Sequence, residues 1–231
     1  MASFGVGGAH PGGLQLTKSI LARENIDQET LILDVGCGTG QTSAYIAEKY
    51  RCSVTSLDSN NIMLEKAKQR FLSLNLAINV MHGSVENLPF CDGLFDFILS
   101  ESVTSFTDAS LTIQEFKRVL KPNGVLLAIE MVLEDSLSEE ELKIIIEFYG
   151  VSQILSELDW YNLFKKTGFK EISVGKFKQQ SNKNDIDIDA APDFLLSENI
   201  DDKLLAILEK HEQLRKTYKD KLGFYVFRCS F

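Results

Sequence analysis

The 231-residue sequence has only four cysteines, Cys37, Cys52, Cys91 and Cys229, and none of them forms a CxxC pair or stands at metal-ligand spacing. That rules out a disulfide framework or a zinc ribbon and fits a reduced compartment, so a cytoplasmic protein without a metal is expected. Basic residues are also in deficit, with 24 Lys and Arg against 33 Asp and Glu and a net charge of -9. Such a balance disfavours nucleic acid, whose affinity rests largely on phosphate contacts. No apolar run reaches the length of a membrane span, because the most apolar stretch, 125–133, is interrupted by Glu130. Residues 1–13 are rich in Gly and Ala and lack a basic segment followed by an apolar core, so they do not read as a secretory signal.

What is present is a regular alternation. Short apolar runs predict strands at 30–35, 52–57, 77–81, 94–99 and 125–130. Helical patterns fall between them at 42–50, from Asn60 or Asn61 to about 74, and along Ile113, Phe116 and Leu120, the last closed by Lys121, Pro122, Asn123 and Gly124. Leu14, Thr17, Ile20 and Leu21 mark an amphipathic helix that ends near Glu24. Alternation at this spacing predicts an α/β fold with a doubly wound parallel sheet. In such sheets ligands lie outside the carboxyl ends of the strands, where Asp34, Asp58, Ser84 and Ser100 fall. Further along, a Ser138/Glu141 capping box opens a helix to about 149, and a second helical stretch covers 152–166. A strand at 169–174, a polar loop or insertion at 175–199, a helix at 201–221 and a strand at 224–229 complete the reading.

The first strand carries the sharpest signal. Leu31, Ile32, Leu33 and Val35 surround Asp34, and Gly36, Gly38 and Gly40 follow at every second position. An unalternating apolar run is expected of a strand buried on both faces, and glycines let the chain turn sharply and approach a ligand closely. The dinucleotide pattern G-x-G-x-x-G would need glycine at position 41, which is Gln41. A phosphate loop is excluded because no Gly-Lys-Ser/Thr follows.

Taken in order, these segments resemble the class I S-adenosylmethionine-dependent methyltransferases, of the kind that acts on small molecules. Residues 33–40 are similar to the first motif of that family and Asp58 to its ribose-binding acid. Gly83, Ser84 and Val85 with Glu86, Asn87, Leu88, Pro89 and Phe90 look like the adenine-side segment. Phe95, Asp96, Phe97 and Ile98 followed by Ser100 resemble the fourth-strand motif, and residues 120–124 the turn before strand five. One departure is Ser84, where many members carry Asp. The resemblance implies a seven-stranded Rossmann-like sheet with its last strand antiparallel, helical cap elements and S-adenosylmethionine as cofactor. It further implies that backbone at Gly36, Cys37, Gly38 and Gly40 meets the methionine part, while Asp34 orders the loop or compensates the ammonium. Asp58 and Ser59 would meet the ribose, Met63 and Val85 would sandwich the adenine, Gly83 and Ser84 would line its edge, and Ser100 and Glu101 would lie beside the sulfonium.

A single domain is expected, made of a lead-in and helix at 1–29, a cofactor core at 30–130, a helical acceptor-side cap at 131–168 and an insertion with a helix at 175–221. No dedicated base stands out; His10, Glu101 and Glu130 are the candidates for catalytic or acceptor contact. The expected function is methyl transfer by in-line displacement to a small-molecule acceptor; the alternative is a non-catalytic binder of S-adenosylmethionine or its demethylated product that works through protein contacts. A base-amino methylase is disfavoured, since Ser100, Glu101, Ser102 and Val103 stand where Asn/Asp-Pro-Pro-Tyr/Phe would be. Plainer roles exist for several of these residues. Asp34 can cap the turn that follows it, and Asp58 can be the N-cap of the helix from Asn60. His10, His82 and His211 can serve packing or surface. Trp160, Tyr161 and Phe164 at helical spacing can simply fill a core.

Overall fold

Strand and helix alternate through the first 133 residues of the computed structural model, which describes residues 6–7, 12–177, 193–194 and 202–231. After the two-residue β1 (Val6–Gly7) come α1 (Gly13–Leu21), β2 (Leu31–Val35), α2 (Gln41–Tyr50), β3 (Ser53–Asp58), α3 (Asn61–Ser73) and β4 (Asn79–His82). They are followed by β5 (Phe95–Glu101), a 3-10 turn (Thr104–Phe106), α4 (Ala109–Val119) and the long β6 (Leu120–Leu133). The remainder holds α5 (Glu139–Tyr149), β7 (Leu155–Ser156), α6 (Glu157–Thr167), β8 (Glu171–Phe177), β9 (Asp193–Phe194), α7 (Asp202–Thr217) and β10 (Leu222–Ser230).

The main sheet runs in the order β4-β3-β2-β5-β6-β10-β8, with β7 pairing β6 as an eighth, two-residue member. β2 is parallel to β3 and β5, β3 to β4, and β5 to β6, whereas β10 is antiparallel to both β6 and β8. The seven expected strands are therefore all present, and the last is antiparallel. Because alternate residues face opposite sides, Ile32 packs with Ile20, Leu21, Ile46 and Leu99 on the side of α1 and α2. Leu33 and Val35 pack with Phe116, Trp160 and Phe164 on the side of α4 and α6. A smaller apolar cluster of Ile145, Leu214 and Tyr218 joins α5 to α7.

Three differences from the sequence reading have local causes. α6 begins at Glu157 rather than 152, because Ser156 and Asp159 form a capping box that stops the helix there and leaves 155–156 extended against β6. Val6 and Gly7, in the expected lead-in, pair with Phe194 and Asp193, in the expected insertion, as a separate antiparallel ladder. β6 runs back to Leu120, which pairs with Phe95 across a register shift, so the 121–124 turn falls within the strand's span. His10 and residues 178–192 and 195–201 lie outside the described residues.

Candidate active site

The carboxyl ends of β2, β3 and β5 meet at the glycine loop. All three loop glycines have left-handed backbone, with φ of 60° at Gly36, 54° at Gly38 and 76° at Gly40, which L side chains rarely adopt. Their surroundings differ. A Cβ on Gly36 would meet Val103, and one on Gly40 would meet Phe71, but one on Gly38 would have nothing within 4 Å. The loop is thus wedged at both ends and open at its centre.

Asp58 fixes that centre. Its Oδ2 accepts from the Gly38 amide at 2.9 Å and its Oδ1 from the Asn60 amide at 2.8 Å. The neighbouring cap of α3 is Asn60, whose Oδ1 accepts from the Ile62 and Met63 amides. Asp58 therefore serves the loop rather than capping the helix. Parallel pairing places His82 opposite Asp58, with the His82 Nε2 at 3.1 Å from the carbonyl of Ser59. The chain then turns through Gly83 and exposed Ser84, whose Oγ accepts from the Glu86 amide at 3.2 Å. Met63 and Val85 are both buried. Cys37, inside the loop, is buried, and desolvation pushes its thiol far above the usual range, so it is inert at neutral pH.

Two carboxylates stand behind the loop. Asp34 is 2% exposed and accepts a hydrogen bond from Ser43 Oγ, which in turn accepts from Ser56 Oγ at 2.6 Å. Desolvation, helped by the charges of Glu101 and Asp58, pushes the Asp34 carboxyl up to about 8. Glu101, at the end of β5, accepts from Thr17 Oγ1 at 2.5 Å and from Thr42 Oγ1 at 2.8 Å. Ser100 sits beside Val35 in register, fully buried, with its Oγ 3.3 Å from Thr104 Oγ1.

Glu130 is engaged elsewhere. Fully buried on β6, its carboxylate accepts from the amides of Thr104 and Ser105 at 3.0 and 3.2 Å and from Ser105 Oγ at 2.7 Å. Its three donors belong to the turn after β5, so it holds that turn. Burial raises its pKa, and the hydrogen bonds oppose the rise. His211 packs edge-on against Tyr149, and Trp160 and Phe164 fill the core, as the plainer readings hold. Tyr161 is exposed.

Sequence reasoning named Thr17 only within a helix stripe and Ser102 only in a motif comparison, and it gave no site role to Thr42 or Ser43. Thr17 carried a signal, a hydroxyl on an otherwise apolar helix stripe, which a buried position obliges to find a partner. Ser102 adopts φ of 58°, and its buried Oγ has no hydrogen-bond partner among the described residues. Among the described residues no group of three or more His, Cys, Asp and Glu is placed to hold a metal ion. No helix among them is long and apolar enough to cross a membrane.

Comparison with known proteins bears on the family and the fold. Residues 32–124 match the family described as "Methyltransferase domain". Over 227 residues the chain is 37% identical to the uncharacterized methyltransferase YodH of Bacillus subtilis, covering 98% of this chain and 95% of that protein. It is 28% identical to the demethylmenaquinone methyltransferase of Staphylococcus epidermidis, covering 69% of this chain and 76% of that one. A structure of Haemonchus contortus phosphoethanolamine N-methyltransferase 2 with S-adenosyl-L-methionine shares the fold, with a TM-score of 0.78 at 19% identity. That likeness covers 96% of this chain but only about half, 53%, of the larger one. By its match over almost the whole length of a methyltransferase and by its fold, the chain belongs to the class I S-adenosylmethionine-dependent methyltransferases.

Proposed function

We propose that this methyltransferase acts on a small-molecule acceptor and that the cofactor lies across the open centre of the 36–40 loop. The observation that carries the reading is the pairing of Gly38, whose face is open, with the carboxylate of Asp58. Each Asp58 oxygen holds one backbone amide and keeps a further lone pair, enough to accept from the two hydroxyls of a ribose. The residues fit the group: an open cradle for the methionine part, a carboxylate beside it for the diol, and the exposed turn at Gly83 and Ser84 for the adenine edge.

When bound, S-adenosylmethionine supplies a methyl group already activated by its sulfonium. The chain's own task is then alignment, which in well-oriented reactions lowers barriers by roughly 7–11 kcal/mol. In this reading backbone at Gly36, Cys37, Gly38 and Gly40 encloses the methionine part, and Asp34 orders the loop from below. Ser59 lies on the ribose side, Met63 and Val85 wall the adenine, and Ser100 supports the floor beside the sulfonium. Glu130 acts indirectly by holding the 104–106 turn at the acceptor side. An acceptor site roofed by residues 134–166 and by the N-terminal helix fits the small-molecule class. The name of the demethylmenaquinone relative points to that class too.

Titration calorimetry with S-adenosylhomocysteine tests the site. Asp58→Ala should weaken binding by tenfold or more, since a hydrogen bond to a charged group contributes about 1.5–3 kcal/mol. Affinity within about threefold of wild type, roughly 0.7 kcal/mol, would sink the assignment. A methyl-release screen over small alcohols, amines, thiols and acids then tests the acceptor class, and release with none of them speaks against it.

A further inference from the structure

The two oxygens of Glu101 are divided between two helices. Oε1 accepts from Thr17 in the middle of α1, and Oε2 accepts from Thr42 in the first turn of α2. One carboxylate at the end of β5 therefore holds both the N-terminal helix and the helix that leaves the glycine loop. Bonds from hydroxyls to a carboxylate are short and strong compared with neutral ones. Thr17 is fully buried on the same helix as Ile20 and Leu21, which pack into the sheet. Its hydroxyl lies 3.4 Å from the Gly13 carbonyl one turn back and 2.5 Å from the Glu101 carboxylate, the closer and charged acceptor.

Besides the packing of Ile20 and Leu21, α1 has polar ties to the side and beyond its far end. Lys18 stands over the ring of Tyr45 in α2. Just after the helix, Glu24 pairs bidentately with Arg228 of β10, at 2.8 and 3.1 Å. Glu101 thus links α1 to the strand and the helix that flank the loop. Thr42 stands two residues after Gly40, whose carbonyl accepts from the Ala44 amide, and Ser100 lies in register with Val35, directly before Gly36. Glu101 therefore stands next to segments that flank both ends of the loop.

We propose that Glu101 is a positioning residue that couples docking of α1 to cofactor binding. The cofactor binds more tightly when α1 is docked, and α1 is held more firmly when the cofactor is bound. The proposal rests on the 36–40 loop being the cofactor site. Because coupling between two events is reciprocal, it has two readouts that must change by the same factor.

The test is hydrogen exchange of the amides of residues 13–21 in the full chain, with and without S-adenosylhomocysteine, alongside calorimetry. In wild type the ligand should slow exchange across α1 by roughly tenfold, a typical coupling. Thr17→Val, which keeps the shape and removes the hydroxyl, should abolish the slowing and weaken ligand binding by a similar factor; Thr17→Ser should restore both. Glu101→Gln, which keeps the shape and removes the charge, should give a smaller, parallel loss of both and stands in if Thr17→Val does not fold. The proposal is overturned if α1 exchange in wild type ignores the ligand, or if Thr17→Val retains both slowing and affinity. Asp58→Ala in the same titration separates the two layers. Weakened binding there with an unaffected Thr17→Val refutes the coupling alone, whereas unweakened binding there removes the cofactor site and the coupling with it.

Discussion

The ring of Phe71 stands where a side chain on Gly40 would have to be, since an added Cβ would lie 2.5 Å from its Cζ. Gly38, two residues earlier and also left-handed, faces open space. The two glycines are therefore required for different reasons, and alanine separates them. Gly40→Ala should lose about 2–4 kcal/mol of stability from backbone strain and overpacking together. Gly38→Ala should lose only about 1–2 kcal/mol, the strain alone, but bind S-adenosylhomocysteine roughly tenfold more weakly, about 1.4 kcal/mol. Urea denaturation and calorimetry on both variants check this, and a Gly38→Ala protein that binds like wild type would refute the open-cradle reading.

Asp34 makes the protein's stability depend on pH in the direction opposite to a salt-bridged acid. Burial first, then the charges of Glu101 and Asp58, raise its carboxyl to about 8. Between the ordinary carboxylate range and that value the folded protein keeps a proton that the unfolded chain releases. The stability contribution tied to this group is therefore present at low pH and lost as pH rises through that window. Asp34→Asn should flatten the dependence. Its unfolding free energy should change less than that of wild type between about pH 5 and about pH 8, by on the order of 1 kcal/mol or more. Parallel curves for the two proteins would show that Asp34 is ionised in the fold.

Glu130 invites a catalytic reading because an acid on an apolar strand is costly, yet its oxygens are engaged by the turn at Thr104 and Ser105. Glu130→Ala should cost roughly 3 kcal/mol or more by leaving buried amides without an acceptor. Glu130→Gln, which keeps one oxygen, should cost less. Thermal unfolding of the two variants decides the matter, and a loss below about 0.5 kcal/mol in Glu130→Ala, the range of a surface change, would show that the turn does not depend on it.

The parallel half of the sheet and its glycine loop were legible because their signals are local. Apolar runs, the acids that end them and glycines at 36, 38 and 40 can all be read within windows of ten residues, and parallel pairing then brings them together. Thr17 and Glu101 are 84 positions apart, and only the packing of α1 on β5 joins them. Glu130 stood out in the sequence, but its partners follow from the pairing of β5 with β6, which periodicity does not specify in register. The start of α6 was missed although Ser156 and Asp159 follow the same capping rule that located α5, because the apolar spacing from 152 onward overshadowed it.

The place of β10 in the sheet bears on how the protein is made. This strand follows every other strand in the chain, yet it lies between β6 and β8 and supplies the ladder to both. While the chain is being synthesised, β2 to β6 can assemble as a parallel unit, but among the described strands β6 keeps an unpaired edge and β8 has no neighbour until β10 emerges. An open, apolar edge of this kind invites pairing with other chains. The nascent protein is therefore most exposed to misassembly in the interval between β6 and β10, after its glycine loop has formed and before its sheet has closed.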